Sequence, residues 1–352
     1  MAETLVGPLR EGCRLEAFRG GPIVVGVSGG ADSVGLLHAL VRADVLPPAR
    51  PGADRSIIVA HAEHDLRGEA AADRAFVESL ARELGLRCVS GAIACREEAA
   101  RTGEGVEAAA RRLRYAFLAD TAAAAGARVV VVAHTADDQA ETILHAILRG
   151  TGLAGLAGMP VARELVEGIT LVRPLLEVDR SAVRDYLAAV GQPWREDATN
   201  ADTRFARNFL RQTLLPAAIA GPYPAAQRSL RGLGSQAAMT ASAMASAAGH
   251  ILDTHSRRDR SGAVVFDPVP LGPLDPHLLA EVFVALWRRE RWPRRDMSAR
   301  HYRELATMLA AAHRDPGFSR ASAVDLPGGV RAEIEADGRL RLFPAQFDAT
   351  RE

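Results

Sequence analysis

The chain contains no lysine, so its 43 basic side chains other than histidine are all arginine. A Walker-type phosphate loop needs a Gly-Lys-Ser or Gly-Lys-Thr triplet and is thereby excluded. Any phosphate bound here has to be met by arginine, backbone N–H groups or hydroxyls. Cysteine is scarce as well: Cys13, Cys88 and Cys95 are odd in number and form no Cys-x-x-Cys pair. That speaks against a disulfide framework or a zinc ribbon and for buried structural thiols. Net charge is absent, with 43 acidic residues against the 43 arginines, so an argument for nucleic acid has to rest on local patches. The aliphatic stretches are only strand-length, and the first twenty residues carry Glu3, Arg10, Glu11, Arg14 and Glu16, unlike a secretory leader. A cytoplasmic protein without a membrane span is expected. The abundance of alanine and arginine reads as coding bias.

A length of 352 residues suits two domains, with the boundary expected at Pro216, giving 1–217 and 218–352. In the first, aliphatic runs at 22–27, 56–60, 86–93 and 128–133 alternate with helical patterns. This predicts an α/β fold with a doubly wound parallel sheet, in which ligands collect at the carboxyl ends of the strands. The second part reads as mainly helical with a small β appendage. A long alanine-rich helix is predicted over 224–252, its nearly uncharged centre at 236–250 packed against something. A charged turn at 255–260, a short strand at 263–266, helices near 276–291 and 298–313 and a terminal hairpin follow. Within it, Trp287 to Arg295 is the most basic stretch; it suits RNA through phosphate contacts and stacking, or else the tryptophans are core and the arginines a solvated face.

The strand exits carry the chemistry. The first run stops at Ser28-Gly29-Gly30-Ala31-Asp32-Ser33, and Val34, Leu37, Leu40 and Val41 then recur at helical spacing. That places a glycine turn at a helix N-terminus, where N–H groups and the dipole favour an anion. Ser28 and Ser33 add hydroxyl donors, and Asp32 adds a carboxylate suited to Mg2+. The second exit carries His61 and His64. The helix over 104–120 aligns Glu107, Arg111 and Arg114, either a solvated salt-bridge stripe or a site-facing one. The last exit carries His134, Asp137 and Asp138. Asp137, Glu141 and His145 share one helix face, an arrangement able to hold a cationic substrate, although Asp137 or Asp138 also fits a helix N-cap. Residues 150–160, with four glycines and a closing proline, read as a mobile or tightly turning connector. Arg204, Arg207 and Arg211 line up without interleaved acids, as a phosphate-contact surface does, and Pro216 is expected to end their helix.

These residues in this order resemble the tRNA(Ile)-lysidine synthetase family of the PP-loop ATP pyrophosphatase superfamily. The resemblance runs from Pro22 to Pro216. It is carried by Ser28–Ser33, by His61-x-x-His64-x-Leu66-Arg67 with Glu69 and Asp73, and by Glu107-x-x-x-Arg111-x-x-Arg114-Tyr115. Ala133–Thr142 through Arg149-Gly150-Thr151-Gly152, Arg173-Pro174-Leu175, Glu196-Asp197-x-Thr199-Asn200 and Arg207-Asn208 complete it. The resemblance implies an enzyme that uses ATP and Mg2+ to join free L-lysine to C2 of the wobble cytidine in the CAU anticodon of the minor isoleucine tRNA. It also implies roles. Ser28, Gly29, Gly30, Ala31, Asp32 and Ser33 would hold the pyrophosphate, with Asp32 on the metal, and His61 would border the adenosine. Arg111 and Arg114 would meet phosphate charge, His134 would act as acid or positioner, and Asp137 and Glu141 would bind lysine. Arg149, Arg204, Arg207 and Arg211 would position the tRNA. A tRNA thiolase, an amidotransferase-type synthetase and a catalytically silent RNA-binding protein remain rival readings, and a homodimer is compatible with the sequence.

Overall fold

The computed structural model describes residues 2–43, 45–48, 50–51, 56–64, 70–196, 206–314 and 323–345. The chain divides into two compact units, Met1–Gln236 and Ala237–Glu352, parting inside a long helix, whereas the sequence suggested a division near residue 217.

The first unit is a six-stranded sheet between helices. After α1 (Ala2–Gly12), strand β1 (Ile23–Gly26) leads into α2 (Ala31–Arg42). Then come β2 (Ile57–His64), α3 (Ala70–Glu83), β3 (Arg87–Ile93), α4 (Cys95–Thr102), α5 (Val106–Ala124), β4 (Val129–Val131) and α6 (Ala136–Leu148). A one-turn helix α7 (Leu153–Leu156), an antiparallel hairpin of β5 (Ala162–Val166) and β6 (Ile169–Val172), and α8 (Arg180–Val190) follow. The strand order is β3-β2-β1-β4-β6-β5, with β1 parallel to both β2 and β4. Chain order reverses between β1 and β4, so the crevice outside their carboxyl ends is the switch point where α/β sheets bind ligands.

Alternation within the strands builds the core on both faces. Val25, Val59 and Val131 pack with Leu36 and Leu37 of α2 and with Val183 and Leu187 of α8, while Val24, Ile58 and Val130 pack with Tyr115 and Leu118 of α5. Helices α2 and α8 approach closely because Gly35 has no side chain: a Cβ there would stand 2.3 Å from Val183 Cγ1.

Three local expectations change. The 150–160 connector includes α7, and Gln139 of α6 grips its end, accepting from Met159 N at 2.8 Å and donating to Met159 O at 2.9 Å. Pro216 does not end a helix. α9 (Ala206–Phe209) passes through a π-helical turn, Leu210–Leu214, into α10 (Leu215–Ala220), with Pro216 in its first turn, where the missing N–H costs nothing. The edge strand β5 had no strand-like apolar run to announce it.

Helix α11 (Ala226–His255) runs into the second unit. Its uncharged centre is largely exposed, with Met239 at 64% and only Ala237 and Ala248 buried between 236 and 250, so the packing expected there is not made. The unit continues with β7 (Ser256–Arg258), β8 (Val264–Phe266), α12 (Pro268–Leu271), α13 (Pro276–Arg289), α14 (Ala299–Arg314), β9 (Ala323–Leu326), β10 (Val330–Ile334) and β11 (Leu340–Pro344). The stretch expected as a charged turn contains β7, and the terminal hairpin is part of a five-stranded antiparallel sheet, β7-β8-β11-β10-β9. Trp287 is fully buried among Phe283, Leu286 and Leu305, and Trp292 and Tyr302 meet its ring edge-on at centroid distances of 4.9 and 5.6 Å. The core reading of these tryptophans therefore holds over the RNA-stacking one. No described helix is long and apolar enough to cross a membrane.

Candidate active site

The site starts where β1 ends and the chain turns through Ser28, Gly29 and Gly30 into α2. Gly29 has φ +93°, a region that costs an L side chain about 1–2 kcal/mol. A Cβ there would meet Phe76 and Val77 at an ordinary 3.6 Å, so the backbone alone demands glycine. The two serines staple the loop. Ser28 N donates to Ser33 Oγ at 3.1 Å, the two Oγ atoms lie 3.2 Å apart, and Ser33 Oγ donates to Gly30 O at 3.0 Å. Arg195 clamps it from outside, its N–H donating to Gly29 O at 3.0 Å while its guanidinium pairs with Asp73.

The loop forms one wall of a cavity of about 830 Å³. Ser28, Gly30, Ala31, Asp32 and Ser33 line it together with His61, Arg111, Arg114, His134, Asp137, Arg207 and Arg211. Glu141 lies behind this lining, 2% exposed. Arg149 is exposed at the end of α6 and does not line the cavity. Arg204, Asp197, Thr199 and Asn200 fall outside the described residues, as do Leu66, Arg67 and Glu69.

Sequence reasoning missed the charge network that crosses the site. Arg180, the first residue of α8, donates from Nε to Asp32 Oδ2 at 3.0 Å and from Nη2 to Asp138 Oδ1 at 2.9 Å, and its Nη1 lies 3.7 Å from Glu141. Asp138 Oδ1 also accepts from Arg211 at 2.8 Å and Arg207 at 3.3 Å, and the same two arginines reach Glu141 at 2.6 and 3.1 Å. The expected phosphate stripe thus faces carboxylates of α6, and the acid expected to stand open, Glu141, is enclosed by three guanidiniums. Asp137 is engaged too, accepting from Arg180 N at 2.8 Å and from Gln227 at 3.3 Å. The N-cap of α6 is Thr135, not Asp137 or Asp138. Asp138 reaches back to cap it, accepting from Thr135 N at 2.9 Å and from Thr135 Oγ1 at 3.1 Å.

Titration behaviour follows from burial and this network. Burial raises the Asp138 pKa, but the charges of Arg180 and Arg207 and the Thr135 N–H outweigh it and hold the carboxyl below its ordinary range. Asp32 goes the other way: burial dominates and raises it despite Arg180. Its Oδ1 is buried without a hydrogen-bond partner, an orphaned carboxylate oxygen that suits a hard cation. Among the described residues no group of three or more His, Cys, Asp or Glu side chains could hold a metal. A Mg2+ at Asp32 would therefore complete its shell with phosphate oxygens and water, as this ion ordinarily does.

The two histidines of the site both stand in its wall. His61 is 3% exposed, its Nδ1 donates to Val27 O at 2.8 Å, and its Nε2 is buried without a partner. His134 is held well below its usual pKa, chiefly by burial, and its Nδ1 is likewise unpartnered. Arg111 and Arg114 form no ion pair with Glu107; they fold over the Tyr115 ring at 5.0 and 5.4 Å. The salt-bridge reading of that stripe does not hold.

Comparison with known proteins agrees with this architecture. Residues 11–218 match the PP-loop domain family. Curated relatives named tRNA(Ile)-lysidine synthase are 42% identical over 257 residues in Deinococcus deserti (73% of this chain, 44% of that protein) and 44% identical over 216 residues in Deinococcus radiodurans (61% and 34%). One from Rhodopirellula baltica is 42% identical over 221 residues (60% and 55%). The chain spans between a third and just over half of the length of these relatives. Among solved structures, the U34-tRNA thiolase NcsA from Methanococcus maripaludis superposes with a TM-score of 0.55 over 66% of this chain and 78% of its own, at 12% identity, a likeness of fold. With its loop, sheet order and switch-point cavity in place, and 11–218 covering more than half its length, the chain belongs to the PP-loop domain family.

Proposed function

We propose that the chain joins the side-chain amine of free L-lysine to C2 of the wobble cytidine in the CAU anticodon of the minor isoleucine tRNA, converting ATP to AMP and pyrophosphate. The observation that carries this reading is one cavity bounded on one side by the Ser28–Ser33 loop and on the other by the acids of α6. Donors suited to phosphate and carboxylates suited to an ammonium group thus share one cavity, which supports the reading. The names of the curated relatives point the same way.

The cytidine O2 attacks the α-phosphorus of ATP, the bond to the β-phosphate oxygen breaks, and pyrophosphate leaves with its charge met by the Ser28–Ser33 loop and by Arg180, which already reaches that loop at Asp32. Asp32 would hold Mg2+ through its orphaned Oδ1, and that ion would supply further neutralisation of the charge. The unpartnered Nε2 of His61 is an acceptor for the adenine amino group, and neutral His134 positions by hydrogen bonding, with no proton of an imidazolium to give. In the second step the amine attacks C2, the C2–O bond breaks, AMP departs and the nitrogen's proton passes to a carboxylate of the Asp137, Asp138 and Glu141 group. The base has to leave the anticodon stack to reach this position. Arg207 and Arg211 contribute to positioning the tRNA once substrates draw them from the acids. Cys13 and Cys95 are buried, Cys88 is half-buried and none lines the cavity, which counts against sulfur transfer.

The direct test is incorporation of radiolabelled lysine, with ATP and Mg2+, into a transcript of the minor isoleucine tRNA and into the methionine tRNA sharing its anticodon. Label in the first alone is the expected result. ATP cleavage to AMP without lysine incorporation would overturn the choice of amine while keeping the adenylating loop.

A further inference from the structure

Two groups of arginines stand at or near the cavity. Arg180, Arg195, Arg207 and Arg211 each hold a carboxylate within 4.0 Å. Arg111, Arg114, Arg163 and Arg173 hold none among the described residues, yet they gather around one side chain. The guanidinium carbons of Arg111, Arg114 and Arg163 lie 5.0, 5.4 and 5.3 Å from the centroid of the Tyr115 ring. Arg173, immediately after β6, is 2% exposed; its Nη1 donates to Pro160 O at 2.8 Å, while its Nε is buried without a partner. Tyr115 Oη is buried as well, with the guanidiniums of Arg173 and Arg114 as its polar neighbours.

Four cations around a neutral ring repel one another, and burial makes this worse because the interior screens poorly. The strain is visible in the groups themselves. Arg114 and Arg173 are both pushed down from the usual arginine pKa, first by burial and further by neighbouring guanidiniums. The Tyr115 hydroxyl, which burial alone would raise, is lowered by the charges of Arg111, Arg114 and Arg173. No described side chain supplies the missing negative charge. Arg163 also donates from Nη1 to Glu164 O at 2.8 Å; the remaining N–H groups of guanidiniums stacked on an aromatic face stay available to an anion, and planar forks suit phosphate oxygens.

We propose that Arg111, Arg114, Arg163 and Arg173, held by Tyr115, form a binding site for a backbone phosphodiester of the RNA substrate, beside the polyphosphate site and distinct from it. Arg111 and Arg114 line the cavity, whereas Arg163 and Arg173 do not. Arg163 of β5 thus extends the cluster from the cavity to the β5–β6 hairpin, with Arg173 buried beneath it. The polyphosphate already has its own loop at Ser28–Ser33. This inference rests on the RNA substrate read above and adds where that RNA's backbone is held.

The test uses Arg163→Gln, Arg163→Lys and Tyr115→Phe in the full chain. A fluorescein-labelled anticodon stem-loop of the isoleucine tRNA is titrated at several KCl concentrations, with ATP affinity and thermal melting measured in parallel. For Arg163→Gln we expect RNA affinity to fall about five- to tenfold at low salt and the slope of log K against log salt to become shallower by about 0.7–0.9, the loss of one phosphate contact. Arg163→Lys should keep most of the slope, and ATP affinity should stay within about twofold for both. Removing one of four mutually repelling cations should leave the melting temperature of Arg163→Gln at or above the parent's, a sign opposite to that of a structural arginine. Tyr115→Phe, which keeps the ring, should bind RNA as the parent does. An unchanged salt slope, weaker ATP binding in place of weaker RNA binding, or a melting temperature that falls along with RNA affinity would each overturn the site. Absence of RNA binding by the parent chain would remove the substrate reading itself.

Discussion

Arg180 and Asp32 are 148 residues apart in sequence and joined at 3.0 Å across the site. The same guanidinium reaches Asp138, so one arginine neutralises both the acid of the Ser28–Ser33 loop and an acid of α6. If, as proposed above, polyphosphate is bound by the arginines and ammonium by the acids, the two draw on opposite halves of one ion-pair network and each relieves the other's obstacle. Binding should be coupled: lysine affinity measured by calorimetry is expected to tighten about 5–100-fold when a non-hydrolysable ATP analogue is present. In Arg180→Gln the coupling should collapse toward one, with lysine binding weakly dependent on nucleotide. Equal lysine affinity with and without nucleotide in the parent protein would show that the arginines do not yield.

The phosphate loop depends on a backbone that only glycine adopts freely. Gly29→Ala puts a side chain at φ +93° with room around it, so the cost is conformational, about 1–2 kcal/mol of stability. Because the strain falls within the loop, ATP affinity should drop at least about tenfold while RNA affinity is kept. Equilibrium binding with each ligand separates the two, and an unchanged ATP affinity would mean that the loop geometry is not what holds the phosphates.

Trp287 gives a stability test of the second unit. The side chain is fully buried, and its indole Nε1 is buried without a partner. Trp287→Ala should cost about 3–5 kcal/mol by cavity formation. Trp287→Phe, which also removes the unsatisfied N–H, should cost less than about 1.5 kcal/mol. Urea unfolding measures both. RNA affinity should be unaffected in the phenylalanine variant; a loss there would return the tryptophan to an RNA-stacking role.

Asp259 gives a pH test. Burial raises its pKa, but donors from Ser261, Arg341 and Ala263 outweigh this and hold it at about 2 against an ordinary 3.8. A depressed native pKa stabilises the protein above the unfolded value, and that contribution is lost as pH falls through the native one. Asp259→Asn should therefore destabilise the second unit by about 1–2 kcal/mol at pH 7, solvent screening included. The difference from the parent should shrink between pH 4 and pH 2, the two values just given. Urea midpoints at several pH values read it, and a constant difference across that window would assign the loss to packing.

What was legible in the sequence was local. The four aliphatic runs became parallel strands because buried strands need continuous apolar sequence. The Ser28–Ser33 loop was visible because glycines and hydroxyls concentrate where a strand meets a helix. β5 escaped because its Ala-Arg-Glu-Leu-Val sequence is an edge strand with polar positions. Arg180 and Asp138 escaped because their significance comes from the close approach of α8 permitted by Gly35 and from contacts across 42 to 148 positions. Arg207 and Arg211 were recognisable as a stripe, but their partners sit on another helix, where periodicity does not look.

The β5–β6 hairpin has a consequence for solubility. β6 carries Ile169, Leu171 and Val172, all buried, and without β5 it would present a hydrophobic rim of unpaired backbone groups. β5 covers that rim and ends the sheet with Arg163 and Glu164 on its own strand, charges of the kind that discourage edge-to-edge stacking of chains. Shortening this hairpin should therefore promote aggregation of the chain, with the sheet's margin, and not the crevice at the strands' carboxyl ends, as the point of failure.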